Sequence, residues 1–161
     1  MKKIINSTSI LILLSILVSC GGKDSYYKQF SSDKTFSSRI SDLNKTIDEI
    51  RGQENGKLIK EDVDLLKYVY EIGENDTYIV AYLFDEKGCY EIGVDAYFGK
   101  ETDANIVVTG IKTEMNNSTY GEAIEDNNLC RWKNDALSIS VELDYKNTSR
   151  GLFLATIFAN E

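Results

Sequence analysis

Tyr78-Ile79-Val80-Ala81-Tyr82-Leu83-Phe84-Asp85-Glu86-Lys87-Gly88-Cys89-Tyr90-Glu91-Ile92-Gly93-Val94-Asp95-Ala96-Tyr97-Phe98 reads as two strands joined by a turn. Residues 78–84 are apolar on both faces, which suits a central strand. Asp85-Glu86-Lys87-Gly88 supplies the hairpin turn. From there the chain alternates. Tyr90, Ile92, Val94, Ala96 and Phe98 are expected inward, and Cys89, Glu91, Gly93, Asp95 and Tyr97 outward. Upstream, residues 65–72 alternate too, with Leu66, Tyr68, Tyr70 and Ile72 on one face, followed by the turn Gly73-Glu74-Asn75-Asp76. Before them, residues 45–51 read as a short helix with its N-cap at Asn44 or Thr46 and carboxylates in its first turn.

A similar pattern returns about sixty residues later. Glu61-Asp62-x-x-Leu65-Leu66-Lys67-Tyr68 is echoed by Glu125-Asp126-x-x-Leu129-Cys130-Arg131-Trp132. The strand at 78–84 is echoed at 137–143, where Leu137, Ile139, Val141 and Leu143 are expected inward. Asp85 to Phe98 is echoed by Asp144 to Phe158. Val108-x-x-Ile111-Lys112 marks a second helix, weakened by the β-branched run at 106–109 and by Gly110. The expected fold is α+β: short helices on an antiparallel sheet, as two tandem α-plus-three-strand repeats at about 44–99 and 103–159.

These residues carry a resemblance. The helix start Thr46-Ile47-Asp48-Glu49-Ile50, the turn Tyr82-x-Phe84-Asp85-x-x-Gly88 into Tyr90-Glu91-Ile92, and Trp132-Lys133-Asn134-Asp135 before Ile139-x-Val141 resemble the SmpA/OmlA and β-lactamase-inhibitor-protein-like superfamily. The resemblance spans roughly residues 44–158. It implies helices packed on antiparallel sheets, often in lipoproteins of the cell envelope, that act by binding proteins without catalysis.

The amino terminus carries an address. Lys2 and Lys3 precede an apolar run at 10–18, then Leu17-Val18-Ser19-Cys20. That run is nine residues, whereas a membrane span takes about 20. It reads as a lipoprotein signal peptide over residues 1–19, ending in a lipobox, with Cys20 as the lipid (palmitate) attachment. No acidic residue directly follows Cys20, which favours an outer membrane. Residues 20–43 read as the lipidated cysteine and a flexible tether; its 18 residues from Gly21 to Ser38 would reach roughly 25 Å. Residues 44–161 form the expected globular domain. Tyr26, Tyr27, Phe30 and Phe36 are unusual for a spacer and suit docking on that domain.

Charge and composition narrow the chemistry. With Lys2 and Lys3 removed, 16 basic residues face 26 acidic ones, a net charge of −10. Such a surface repels phosphate backbones, so nucleic acid is disfavoured and a cationic protein partner suits better. Histidine is absent, which removes Ser-His-Asp and Cys-His catalysis and His-based zinc sites. Two cysteines remain beside Cys20, too few for a sulfur-ligated zinc unless carboxylates complete the site. The doublets Asp85-Glu86 and Glu125-Asp126 lack EF-hand spacing and read as turns. No glycine pattern matches a phosphate loop, so no cofactor or metal is expected.

Outside the cytoplasm Cys89 and Cys130 are a candidate disulfide, closing a loop of about forty residues worth roughly 4 kcal/mol. Glu91 and Asp95 are the candidate acid/base pair of a carboxylate hydrolase, against the plainer reading of a solvated strand face. With Tyr97 they also make a candidate partner-binding face. The leading expectation is a membrane-anchored, non-catalytic binding protein of inhibitor, immunity or assembly-factor kind. The alternatives are an envelope hydrolase and a small-ligand carrier.

Overall fold

The computed structural model describes residues 24–160. Three helices, α1 (Asp24–Phe30), α2 (Ile47–Gln53) and α3 (Glu101–Asn116), accompany eight strands. The strands are β1 (Lys57–Asp62), β2 (Leu65–Ile72), β3 (Asp76–Asp85), β4 (Gly88–Tyr97), β5 (Ile124–Asp126), β6 (Leu129–Asn134), β7 (Ile139–Asp144) and β8 (Leu152–Ala159). They form one antiparallel sheet in the order β1-β2-β3-β4-β8-β7-β6-β5. The fold is α+β.

Each half of the chain contributes four strands where the alternation suggested three. The additional strands, β1 and β5, are the two edges, and every residue in them is exposed. Alternation arises when one face is buried and the other is not, so an edge strand exposed on both faces shows none.

One face of the sheet carries the core. Leu66, Tyr68, Tyr70, Tyr78, Val80, Tyr82, Ile92, Val94, Trp132, Val141, Leu143, Ala155 and Ile157 are buried there. The helices pack on this face. α2 opens with a capping box: the Thr46 hydroxyl accepts from Glu49 N, and the Glu49 carboxylate accepts from Thr46 N at 2.8 Å. Thr46→Ala should therefore lower stability by about 1 kcal/mol, measured by urea denaturation. Asn44, the other candidate cap, instead donates its backbone N–H to the Cys89 carbonyl at 2.7 Å.

α3, the helix with the weakest sequence signal, is the longest, at 16 residues. Three of its β-branched residues, Val107, Val108 and Ile111, are buried together with Ala104 and Met115 at helical spacing. Burial outweighs the propensity penalty of a few tenths of a kcal/mol per residue. Gly110 also has a use, because the Tyr27 ring from α1 lies where its Cβ would be.

Residues 24–43, expected to be tether, are part of the fold. Phe30 and Phe36 are fully buried, and the Phe30 ring lies 4.6 Å from that of Tyr78. The Tyr78 hydroxyl donates to the Phe30 carbonyl at 3.1 Å. Tyr27 donates its hydroxyl to Glu114 on α3, and Ser37 N donates to the same carboxylate at 2.7 Å. Burial of these aromatic rings outweighs the polar composition around them. A 3-10 turn, Ser37–Asp42, then brings Arg39 and Asp42 inside.

Two inward assignments are reversed. Between β3 and β4 the pairing runs Leu83↔Glu91 and then Phe84↔Cys89, so Tyr90 is an extra residue in a β-bulge. Beyond that bulge the faces exchange, with Cys89 buried and Tyr90 turned to solvent. Leu137 lies in the β6–β7 turn and is 58% exposed.

Candidate functional site

The second face of the sheet is uncovered among the described residues, and it holds the three residues singled out as a binding face. Glu91, Asp95 and Tyr97 all rise from β4 on this side. The register decides what surrounds them. Ala81, Gly93 and Thr156 align across β3, β4 and β8. On one side of that row stand Ile79, Asp95 and Leu154; on the other stand Leu83, Glu91 and Phe158. The small residues thus form the floor of a trough running across the strands, walled by two mixed ridges about 13 Å apart. Nothing lies within 4 Å of where a Gly93 Cβ would sit, so the floor is open.

Each ridge carries one carboxylate over the trough. Among the described residues Glu91 and Asp95 make no ion pair. By contrast, Glu142 is held by Arg131 at 2.8 Å and Asp144 by Lys146 at 3.4 Å. Leu154 is 45% and Tyr97 44% exposed beside them. Four residues apart on one strand, Glu91 and Asp95 have Cα atoms about 13 Å apart. Asp95 borders a shallow depression of about 190 Å³ with Tyr97, Asp144 and Leu154, and Glu91 lies outside it. The two carboxylates do not converge on one cleft.

Sequence parity placed Glu91, Asp95 and Tyr97 outward. It missed Ile79, Leu83, Leu154 and Phe158, because apolar residues in an interior strand signal burial on both sides. Their partial exposure follows because no second layer covers this face among the described residues, which no local pattern encodes.

The remaining candidates fall elsewhere. Cys20 and the signal peptide lie outside the described residues. Cys89 and Cys130 are both free and buried, so the candidate disulfide is not formed and the two are separate thiols. Cys130 aligns through Leu143 and Ala155 with Val94. That places it three strands, about 14 Å, across from β4 and roughly 16 Å along from Cys89, whereas a bridge needs Cα atoms within about 7 Å. Burial pushes the Cys89 thiol up to about 12, and burial raises that of Cys130 as well. A second, mostly apolar groove of about 780 Å³ opens between α1 and α3, bordered by Tyr27, Ile106, Thr109 and Thr113. Among the described residues no three potential metal ligands cluster, and no helix is long and apolar enough to cross a membrane.

Comparison of the chain with protein-family models, curated proteins and solved structures finds no match.

Proposed function

We propose that this chain is a cell-envelope lipoprotein, anchored through Cys20, that acts without catalysis by docking a cationic protein segment on its open sheet face. The trough carries this reading: a glycine floor with room for a side chain, a carboxylate on each wall and apolar residues around it. Basic residues of a partner segment would each meet one carboxylate, Glu91 or Asp95, while Leu154, Phe158 and Tyr97 supply apolar contact. The acidic balance of the chain favours such a partner over nucleic acid. The anchor rests on the lipobox sequence and the outer-membrane preference on the residues after Cys20.

The tandem reading is kept in modified form, as two α-plus-four-strand units meeting at β4 and β8. Its support is that Glu61-Asp62 and Glu125-Asp126 end β1 and β5 and pair alike, Asp62 with Leu65 and Asp126 with Leu129.

The test uses the mature chain as bait for envelope extract, with mass spectrometry of what is retained. Gly93→Trp should fill the trough and Glu91→Lys/Asp95→Lys should reverse its charge. Both are expected to lose the captured partner, with stability changed by no more than about 0.5 kcal/mol. Binding by the parent should weaken as salt rises. Undiminished capture by both variants would exclude this face as the docking surface. Metabolic labelling with an alkyne palmitate analogue should tag the wild type and not Cys20→Ala; equal labelling would remove the anchor.

A further inference from the structure

The geometry points to a fixed stance on the membrane: the end of the sheet formed by the β2–β3, β4–α3 and β7–β8 connections meets the lipid surface, and the opposite hairpin tips project away from it. The inference rests on the lipoprotein reading, which puts the acyl chains on Cys20. It deepens that reading by naming the surface that touches the bilayer and the side left free for a partner.

Three observations carry it. First, α1 is clamped to the domain, by Tyr27 over Gly110, by the Tyr27–Glu114 hydrogen bond and by the buried Phe30 ring. Second, the helix begins at one end of the sheet. The Tyr26 and Phe98 ring centroids are 6.3 Å apart, a Cβ on Gly73 would lie 4.0 Å from the Tyr26 hydroxyl, and Asp76 binds Gly99 N at 2.7 Å. Third, Asp24 opens the helix four residues after Cys20. Fully extended, four residues span at most about 14 Å. A ten-residue strand such as β4 is about 33 Å long, so the far tips lie well beyond that reach. The open face is also excluded, because α1 lies on the other side of the sheet, a layer about 10 Å away before side chains are counted.

The core of the described domain is closed by residues 30–157, so the mature chain, residues 20–161, serves as the test protein. It is coupled through the Cys20 thiol to vesicles of phosphatidylcholine and phosphatidylglycerol carrying a maleimide lipid. Cys89 and Cys130 are buried and do not compete. Backbone amide exchange is then compared between coupled and free protein. Slowing by several-fold is expected at 73–76, 98–101 and 145–151, with no change at 62–65, 85–88 or 135–138. Slowing at the far tips, or none anywhere, would overturn the stance. Inserting a Gly/Ser run of about twenty residues after Gly22 should abolish the slowing while coupling persists; slowing that survives would refute the short link as its cause. Because the coupling is chemical, failure here is distinct from failure of palmitate labelling in the cell.

Discussion

Glu54→Ala is expected to destabilise the domain by about 3–5 kcal/mol, because it strands a buried guanidinium. The Glu54 side chain is 1% exposed and that of Arg39 is 2%. Arg39 Nη1 meets both Glu54 oxygens at 3.2 Å and donates to the Tyr82 hydroxyl at 2.7 Å. Tyr82 in turn donates to Glu54 at 2.8 Å, and Tyr70 donates to the same carboxylate. Lys34 approaches it at 3.4 Å. Arg39 Nη2 already lacks a hydrogen-bond partner, so once the carboxylate is gone the guanidinium keeps only the Tyr82 hydroxyl and the Tyr70 ring, 5.5 Å away. These bonds tie the 3-10 turn and the end of α2 to β2 and β3.

The pair is expected to matter more when broken than when replaced. A buried ion pair exchanged for well-packed apolar residues is often neutral. Arg39→Met with Glu54→Leu should therefore recover most of the stability lost by Glu54→Ala. Guanidinium denaturation of the wild type and these two variants decides it, and a single-mutant loss under about 1 kcal/mol would refute the account.

The same group sets an acid limit. Burial pushes the Glu54 carboxyl up, but Arg39, then the Tyr70 and Tyr82 hydroxyls and Lys34, outweigh it and hold it below the usual glutamate value. A folded-state pKa below the unfolded one means stability present above about pH 4.3, the unfolded glutamate value, and lost as pH falls through the folded value. Glu114 is also held low: burial raises it, but the bonds from Ser37 and Tyr27 lower it further. Acid should thus release the segment 24–43 together with α2. Stability of Glu54→Ala should fall less over that pH range than that of the wild type.

Gly110→Ala should destabilise by about 2 kcal/mol, within the range for overpacking a tight contact, although alanine favours a helix interior over glycine by about 1 kcal/mol. The Cβ would overlap the body of the Tyr27 ring, not its flexible tip. That ring is held by the hydrogen bond from its hydroxyl to Glu114, one turn further along the same helix. Relief requires α1 to lift, which draws Phe30 away from Tyr78 and Phe153. In a Tyr27→Ala background the obstacle is gone, and the same substitution should become stabilising by up to about 1 kcal/mol. A reversal of sign in thermal or urea unfolding identifies the contact; equal effects in both backgrounds would dismiss it.

Much of the fold is legible because strand alternation is strong between residues 65 and 97. The faces of β2 and of Glu91 to Tyr97 follow from parity alone, and the helix start at Thr46 follows from its capping residues. Where parity failed, a backbone irregularity intervened: one bulged residue at Tyr90 inverts the assignment of Cys89. Where composition failed, at residues 24–43, four aromatic residues outweighed the polar ones between them. The candidate site was half legible, since its carboxylates and Tyr97 could be placed outward but not set in a trough.

Which side chains share a face of a strand is a local property of the pleated backbone, and the order of residues determined it here. The same order of residues carries the absence of histidine and the acidic balance. Only the tertiary structure decided that Ala81, Gly93 and Thr156 form one row and that, among the described residues, the helices pack on one side of the sheet and leave the other bare. Those outcomes depend on interstrand register and on contacts between segments far apart in the chain, such as Tyr27 with Gly110, whose energies no short stretch of residues contains.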